Sequence, residues 1–210
     1  ACAPFRRLNL CNKNFPNMNS KDSSKAKNDL LVDVCMAAKF EGESLNTYRA
    51  QYDEQYPGSG FTLCTMLARS FADIGDIVRG RDLFIGYNQK EKKRRKQLDD
   101  KLKEIFENIY NDVTNRKTNG KNAEELKARY NGDEDKNFFK LREDWWELNR
   151  ETVWKAITCG APKESKYFRG TCGDEKTASL ADVQCRCNDN QVPTYFDYVP
   201  QYLRWFEEWA

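Results

Sequence analysis

With 210 residues, 32% charged and 13% aromatic, the chain is long enough to bury one sizeable core and too aromatic to be disordered. A formal net charge of +2 provides no global field toward polyanions, and no apolar run approaches the ~20 residues of a membrane-spanning helix. Histidine is absent, which removes the usual general base, the Ser–His and Cys–His nucleophile pairs and the commonest metal ligand.

Residues 1–26 hold little periodicity. Cys2 and Cys11 bracket Pro4, Arg6 and Arg7, and a loop rich in Asn, Ser and Lys follows. This reads as a small irregular N-terminal segment. From Lys27 to Tyr52 a helix is expected, with Leu31, Cys35, Ala38, Gly42 and Leu45 on one stripe and Leu30 and Val34 beside it. The cluster Tyr56-Pro57-Gly58-Ser59-Gly60 ends it. In CTMLARSFADIGDIVRGRDLF (64–84), Cys64, Leu67, Phe71, Ile74 and Val78 recur at threes and fours, the period of a helix burying one face. Ala68, Ala72 and Gly75 beside that stripe would admit a neighbouring helix backbone, and Gly80 suits a left-handed stop.

After Gly86-Tyr87-Asn88, six of the seven residues Lys90–Lys96 are basic. Leu98, Leu102, Ile105, Ile109 and Val113 then continue as one face of a long amphipathic helix, so the basic run forms its exposed first turns. Polar loops at Asn115–Asn122 and Asn131–Asn137 flank a short helix around Ala123–Tyr130. Phe138–Ile157 reads as the most buried helix, with Phe138, Leu141, Trp145, Leu148 and Thr152 on one face and Trp146, Val153 and Ile157 on the next. Tryptophans at this spacing, Trp145 and Trp146 included, are expected in the core rather than as a stacking platform. Residues 159–194 are irregular and hold Cys159, Cys172, Cys185 and Cys187. Pro193 and Pro200 frame the last helix, expected to turn Tyr202, Leu203, Phe206 and Trp209 inward.

The carboxylates Asp73 and Asp76, three residues apart, raise the possibility of an acid–base pair. Arg69 lies within reach along the helix surface and would keep both ionised, whereas catalysis needs their pKa values pushed apart. Arg69, Asp73 and Asp76 are therefore read as a structural polar seam. The eight cysteines suit disulfides in an oxidising compartment. The loop cysteines are separated by twelve, twelve and one residues, unlike the paired knuckles of zinc sites, so no metal and no cofactor is expected. Cys185 and Cys187, with only Arg186 between them, are not expected to close on each other and should pair in opposite directions. With no phosphate-binding loop and no nucleophile–base pair, the chain is not expected to be an enzyme.

Four stretches carry a resemblance: CAPFRRLNLC (2–11), ARSFADIGDIVRGRDL (68–83), REDWWELNRETVWKAITC (142–159) and YFDYVPQYLRWFEEWA (195–210). They resemble, in order, the Duffy-binding-like domains of malaria-parasite adhesion proteins, most closely the alpha class of the Plasmodium falciparum erythrocyte membrane protein family of variant surface antigens. The resemblance implies an all-α, disulfide-stabilised helical bundle with a small irregular N-terminal segment. It divides the chain into residues 1–26, a remnant of the first subdomain, and 27–210, the helical second subdomain with its Cys-rich loop 159–194. The third subdomain is expected to be absent and the sequence to be an excised fragment. It implies the pairings Cys64–Cys185, Cys172–Cys187 and Cys35–Cys159, with Cys2 and Cys11 joined to each other or to upstream partners.

The implied function is adhesion to host cell-surface receptors or glycans, as in cytoadhesion and rosetting. The implied location is the surface of the infected host cell, in an antigenically variant, membrane-anchored protein with adjacent domains. The domain itself is expected to be monomeric. Within it, Lys90, Lys92, Lys93, Arg94, Arg95 and Lys96 are the candidate ligand residues. Only Glu91 interrupts them, and positive charge at a helix N-terminus opposes the macrodipole. Successive helical residues turn ~100° apart, so the six form a collar suited to sulfated glycans that wrap. The alternative is a helical module binding nucleic acid or another polyanion through residues 90–96; the near-neutral net charge and the cysteine content stand against nucleic acid.

Overall fold

A computed structural model of the chain describes residues 2–11, 24–55, 62–115, 117, 120–131, 136–173, 178–181 and 183–209. Among these the helices are α1 (Phe5–Leu8), α2 (Ala26–Gln55), α3 (Leu63–Arg79), α4 (Gln89–Val113), α5 (Asn122–Arg129), α6 (Phe139–Ile157) and α7 (Gln201–Trp209). A two-stranded antiparallel hairpin, β1 (Gly170–Cys172) and β2 (Ser179–Leu180), and a 3₁₀ turn at Phe196–Tyr198 complete the fold. The chain is thus all-α with a disulfide-tied loop. The turn expected at 56–60 and the loop after Cys11 lie outside the described residues.

Helix α3 is the axis. Thr62 Oγ1 caps it by accepting the Thr65 N–H, and Gly80, at φ 72°, closes it in the left-handed region, where a Cβ would be strained. Every residue from Ser70 to Arg79 is buried, because α2, α6, α7, α1 and the 3₁₀ turn all pack on it. It, rather than α6, is the most enclosed helix. On α6 the buried side carries Leu141, Trp145, Trp146, Val153, Trp154 and Ile157, but Leu148 is 82% exposed and Thr152 is exposed. Periodicity places Leu148 on the same face as Trp145, yet α4 covers only the first turns of α6. Phe106 meets Trp145 edge-on at 6.2 Å and Arg142 reaches Asp99 at 3.9 Å; beyond that no described element shields the face.

The close backbone approach is also not where the small residues of α3 suggest. Gly75 makes room for the Trp146 indole, 2.8 Å from where a Cβ would stand. It is Gly42 of α2 that meets another backbone, with the Ile157 carbonyl oxygen 2.0 Å from its would-be Cβ. This contact sets the register of α2 on α6, and Asn46 Nδ2 donates to the Gly160 carbonyl at 3.4 Å just beyond.

Two disulfides fasten residues 159–194. Cys64–Cys185 ties the start of α3 to the loop, and Cys172–Cys187 closes the hairpin onto the strand of chain that follows it. Cys185 and Cys187 thus take different partners, the first on α3 and the second on the hairpin. Loops of 121 and 15 residues correspond to about 5 and about 3 kcal/mol of chain entropy respectively.

The implied Cys35–Cys159 pairing is corrected. Cys35 and Cys159 are free thiols. Cys159 stands level with Gly42–Asn46, seven to eleven residues along α2 from Cys35. At 1.5 Å per residue that is ~10–16 Å, beyond the ~7 Å Cα separation a disulfide tolerates. No bridge joins Cys2 to Cys11 among the described residues, and each end is held elsewhere. The Cys2 carbonyl accepts from Trp209 Nε1 at 3.0 Å, and the Cys11 N–H donates to Glu41 Oε2 at 2.9 Å.

Gly42→Ala should lower the melting temperature by roughly 5–10 °C, since a Cβ pressed into backbone costs ~1–3 kcal/mol. Gly160→Ala, whose Cβ would meet only the Glu43 side chain at 3.7 Å, should melt with wild type. Circular dichroism melts of the two variants check this.

Candidate functional site

The polar residues of α3 do not pair as their spacing along the helix suggests. Asp73 is fully buried. Its oxygens accept from Arg6 Nη2 at 2.7 Å, Arg204 Nη2 at 2.8 Å, Gln201 Nε2 at 3.0 Å and Trp205 Nε1 at 3.3 Å. Asp76 accepts from Arg79 Nη2 at 2.9 Å and from Arg204. Arg69 instead donates to the Arg204 carbonyl at 3.0 Å and lies 3.5 Å from Glu207 and 3.7 Å from Glu208. The seam between Arg69 and the two aspartates is therefore replaced by one built from α1 and α7.

The last helix is inverted relative to expectation for the same reason. Gln201, Arg204 and Trp205 face inward, because what they meet on α3 is carboxylate, while Tyr202, Leu203, Phe206 and Trp209 are exposed. Sequence reasoning missed Arg6, Arg79 and Arg204 because apolar periodicity is blind to a polar inner face. The one available signal is the spacing of Gln201 and Arg204, three residues apart like Asp73 and Asp76.

A second layer extends this lattice. The Arg79 guanidinium donates to the Asp197 carbonyl at 2.5 Å, and the Asp197 carboxylate receives Trp146 Nε1 at 2.9 Å and Arg150 at 2.9 and 2.8 Å. Trp146 and Trp145 are thus core residues, the former 5.1 Å from the Phe71 ring. Burial pushes the Asp73 carboxyl upward, but the charges of Arg6 and Arg204 and the Gln201 hydrogen bond outweigh it and hold it below the usual carboxylate range. For Asp76 burial prevails over Arg204 and Arg79, and its pKa rises to about 6. The two values are thus pushed apart, contrary to the expectation that both carboxylates are kept ionised alike, but arginines occupy both of them.

The basic run begins α4. Asn88 Oδ1 caps the helix by accepting the Glu91 N–H at 2.9 Å. Lys90, Lys92, Lys93 and Lys96 are exposed, and none of the four is ion-paired with a described residue. Arg94 leans on Glu91 at 2.8 Å. Arg95 leaves the collar: it turns in to Asp82 at 3.4 Å, with its guanidinium 4.9 Å from the Phe84 centroid. Arg7, ion-paired with Asp82, lies equally near that ring. Burial and then the Arg7 charge lower the Arg95 pKa to about 10, against the pull of Asp82 and Glu91. At ~100° per residue, Lys92, Lys93 and Lys96 cluster on the side of α4 opposite Leu98. The collar is an outward lysine face, not a ring of six.

The sequence model of the Duffy binding domain matches residues 1–204. The chain belongs to that family. Among solved structures it is similar to the NTS-DBL1(alpha-1) domain of Plasmodium falciparum membrane protein 1 (PfEMP1) from the varO strain, with 42% identity and TM-score 0.76, covering 100% of this chain and 43% of that one. It is also similar to the ICAM-1-binding PfEMP1 IT4var13 DBLbeta domain, with 31% identity and TM-score 0.66, covering 97% and 41%. A curated relative, the Duffy receptor beta form of Plasmodium knowlesi, is 24% identical over all of this chain and 14% of its own length. The chain thus spans less than half of these solved chains and a small part of that receptor. Duffy-binding-like domains are adhesion modules and not enzymes.

Asp73→Asn should destabilise the domain by about 3–5 kcal/mol, the cost of breaking a buried charge pair. The two aspartates oppose each other in pH. Asp73, held below its unfolded ~3.9, confers stability that is complete above that value and lost as pH falls through its folded pKa. Asp76, at about 6, is disfavoured when ionised, so its protonation favours the fold as pH falls through 6. The melting temperature should rise slightly from pH 7 to pH 5 in wild type, and this rise should vanish in Asp76→Asn. Thermal melts at pH 7, 6 and 5 on the three proteins test both statements.

Proposed function

We propose that this chain is the helical adhesion core of a parasite variant surface antigen, residues 1–26 belonging to the first subdomain and 27–210 to the second. In this reading it stands on the outer face of a membrane-anchored protein at the infected-cell surface and binds host receptors or glycans in cytoadhesion and rosetting. The family match over residues 1–204 carries the adhesion role. The unpaired lysine face of α4 supports sulfated glycans as one ligand class. Four exposed ammonium groups, three of them grouped on one side, present charge without fixed hydrogen-bond geometry, which suits flexible sulfated chains better than a base-reading groove.

Lys92→Ala/Lys93→Ala/Lys96→Ala should elute from heparin at clearly lower salt than wild type, with a shallower salt dependence by analogy with counterion release. Arg95 is left intact because its contacts with Asp82 and Phe84 hold the start of α4. Equal elution of the two proteins would return the lysines to an ordinary solvated helix end. Tighter binding to duplex DNA than to heparin would favour a nucleic-acid ligand instead.

A further inference from the structure

Residues 81–88 join α3 to α4 without regular structure, and exposure alternates along them. Asp82, Phe84 and Gly86 are half-buried, whereas Leu83, Ile85 and Tyr87 are 53%, 73% and 69% exposed. Charge and ring contacts hold the inner set. Asp82 takes Arg7 and Arg95, and both guanidiniums lie 4.9 Å from the Phe84 centroid. Gly86, at φ 91°, presses on the first turn of α4, where a Cβ would stand 2.8 Å from the Lys92 nitrogen and 2.9 Å from Glu91. Glycine alone permits that fit, and it fixes its chain neighbours Ile85 and Tyr87 beside the lysines that open α4. The contacts that reach this stretch from the ends of the chain, from Arg7 and Gln201, fall on Asp82, Leu83 and Phe84. Ile85 and Tyr87 stand beyond them.

Positive charge is in surplus here. From Arg81 to Lys96 there are seven basic residues against two acidic ones. The partners supplied from elsewhere cancel, since Glu143 takes Arg81 at 2.8 Å and Arg7 takes Asp82. Asp99 and Asp100 come later on α4 and are followed at once by Lys101 and Lys103. Exposed aliphatic and tyrosine side chains beside a cluster of lysines make a membrane-surface site: the apolar groups enter the headgroup layer while the flexible ammonium stems meet anionic headgroups. A soluble polysaccharide is polar throughout and would leave Ile85 and Tyr87 in water. A rigid protein surface gains most from planar donors of fixed geometry, which arginine supplies and these lysines do not.

We propose that this end of α4 docks on a lipid bilayer carrying sulfated glycolipids, with Ile85 and Tyr87 entering the headgroup layer and Lys90, Lys92, Lys93 and Lys96 meeting the sulfates. This docking rests on the sulfated-glycan reading and narrows the source of the sulfate to a membrane lipid rather than a free chain. The lysines alone serve either source. Ile85 and Tyr87 serve only the lipid, so they are the residues that separate the two.

The test is co-sedimentation with phosphatidylcholine vesicles containing equal fractions of 3-sulfogalactosylceramide, unsulfated galactosylceramide or phosphatidylserine, run beside elution from heparin. Wild type should bind the sulfated vesicles saturably, the unsulfated ones far more weakly, and phosphatidylserine vesicles no more tightly than the sulfated ones. Ile85→Ser/Tyr87→Ser should weaken vesicle binding about tenfold, from lost apolar contact, while eluting from heparin with wild type. Ile85→Ser alone, which leaves the Tyr87 ring 6.5 Å from that of Phe84, should weaken it less. Lys92→Ala/Lys93→Ala/Lys96→Ala should weaken both, and circular dichroism melts check that every variant is folded. No saturable binding to sulfated vesicles, equal binding to unsulfated ones, tighter binding to phosphatidylserine, or wild-type vesicle binding by the Ile85/Tyr87 variant would each overturn the proposal. If the lysine variant elutes from heparin with wild type, the glycan reading beneath it fails as well; if heparin elution still depends on the lysines, only the lipid source is lost.

Discussion

The fold depends on placing two carboxylates, Asp73 and Asp76, inside the molecule. An ionised carboxylate in a protein interior costs several kcal/mol unless it is paired and hydrogen-bonded. Two on consecutive turns of α3 require partners from more than one direction. Arg6 reaches Asp73 from α1, Arg204 bridges Asp73 and Asp76 from α7, and Arg79 closes Asp76 from the same helix. The first and last described segments are thereby drawn onto the middle of the chain, and Arg6 also joins Glu208 near the end of α7. A lattice of this kind carries its stabilisation in specificity: any other docking of α1 or α7 leaves charge buried without a partner.

The same constraint explains the surface. Because α7 must present Gln201 and Arg204 inward, its aromatic residues face out, and the apolar band around the end of α7 is a geometric consequence of the polar interior. Gln201 links the two charge clusters, donating to both Asp73 and Asp82 and accepting the Leu83 N–H at 2.6 Å. Asp82 in turn holds Arg7 and Arg95, which lie on either side of the lattice in sequence, and so anchors the start of α4. The lysines that remain outside are free to face solvent because Arg95 has taken the inward position.

The disulfides act where the helices cannot. Residues 159–194 hold little regular structure, and Trp154 Nε1 donating to the Cys185 carbonyl at 3.1 Å and Arg186 donating to the Lys155 carbonyl and Thr158 Oγ1 at 2.7 Å each seat the loop on α6. Cys64–Cys185 then locks that seat to the capped start of α3. The two free thiols at Cys35 and Cys159 follow from the register set by Gly42 against Ile157: once α2 and α6 are fixed by that backbone contact, the cysteines stand at different levels.

By itself the sequence determined the all-α class, the helix at 64–79 with its buried stripe and glycine stop, the exposed basic start of the helix that follows, the opposed pairings of Cys185 and Cys187, and family membership. These are local or motif-borne: a 3.6-residue period, a cap, a turn and a run of charge are each written within a few residues of one another. Only the tertiary structure decided which arginines meet Asp73 and Asp76, which face of α7 is inside, how far α4 shields α6 and which cysteines lie within reach. The physical reason is common to all four. Apolar periodicity records that a face is buried, but an ion pair across two hundred residues, the length of a covering neighbour and the register of two packed helices are relations between segments, and no single segment carries them.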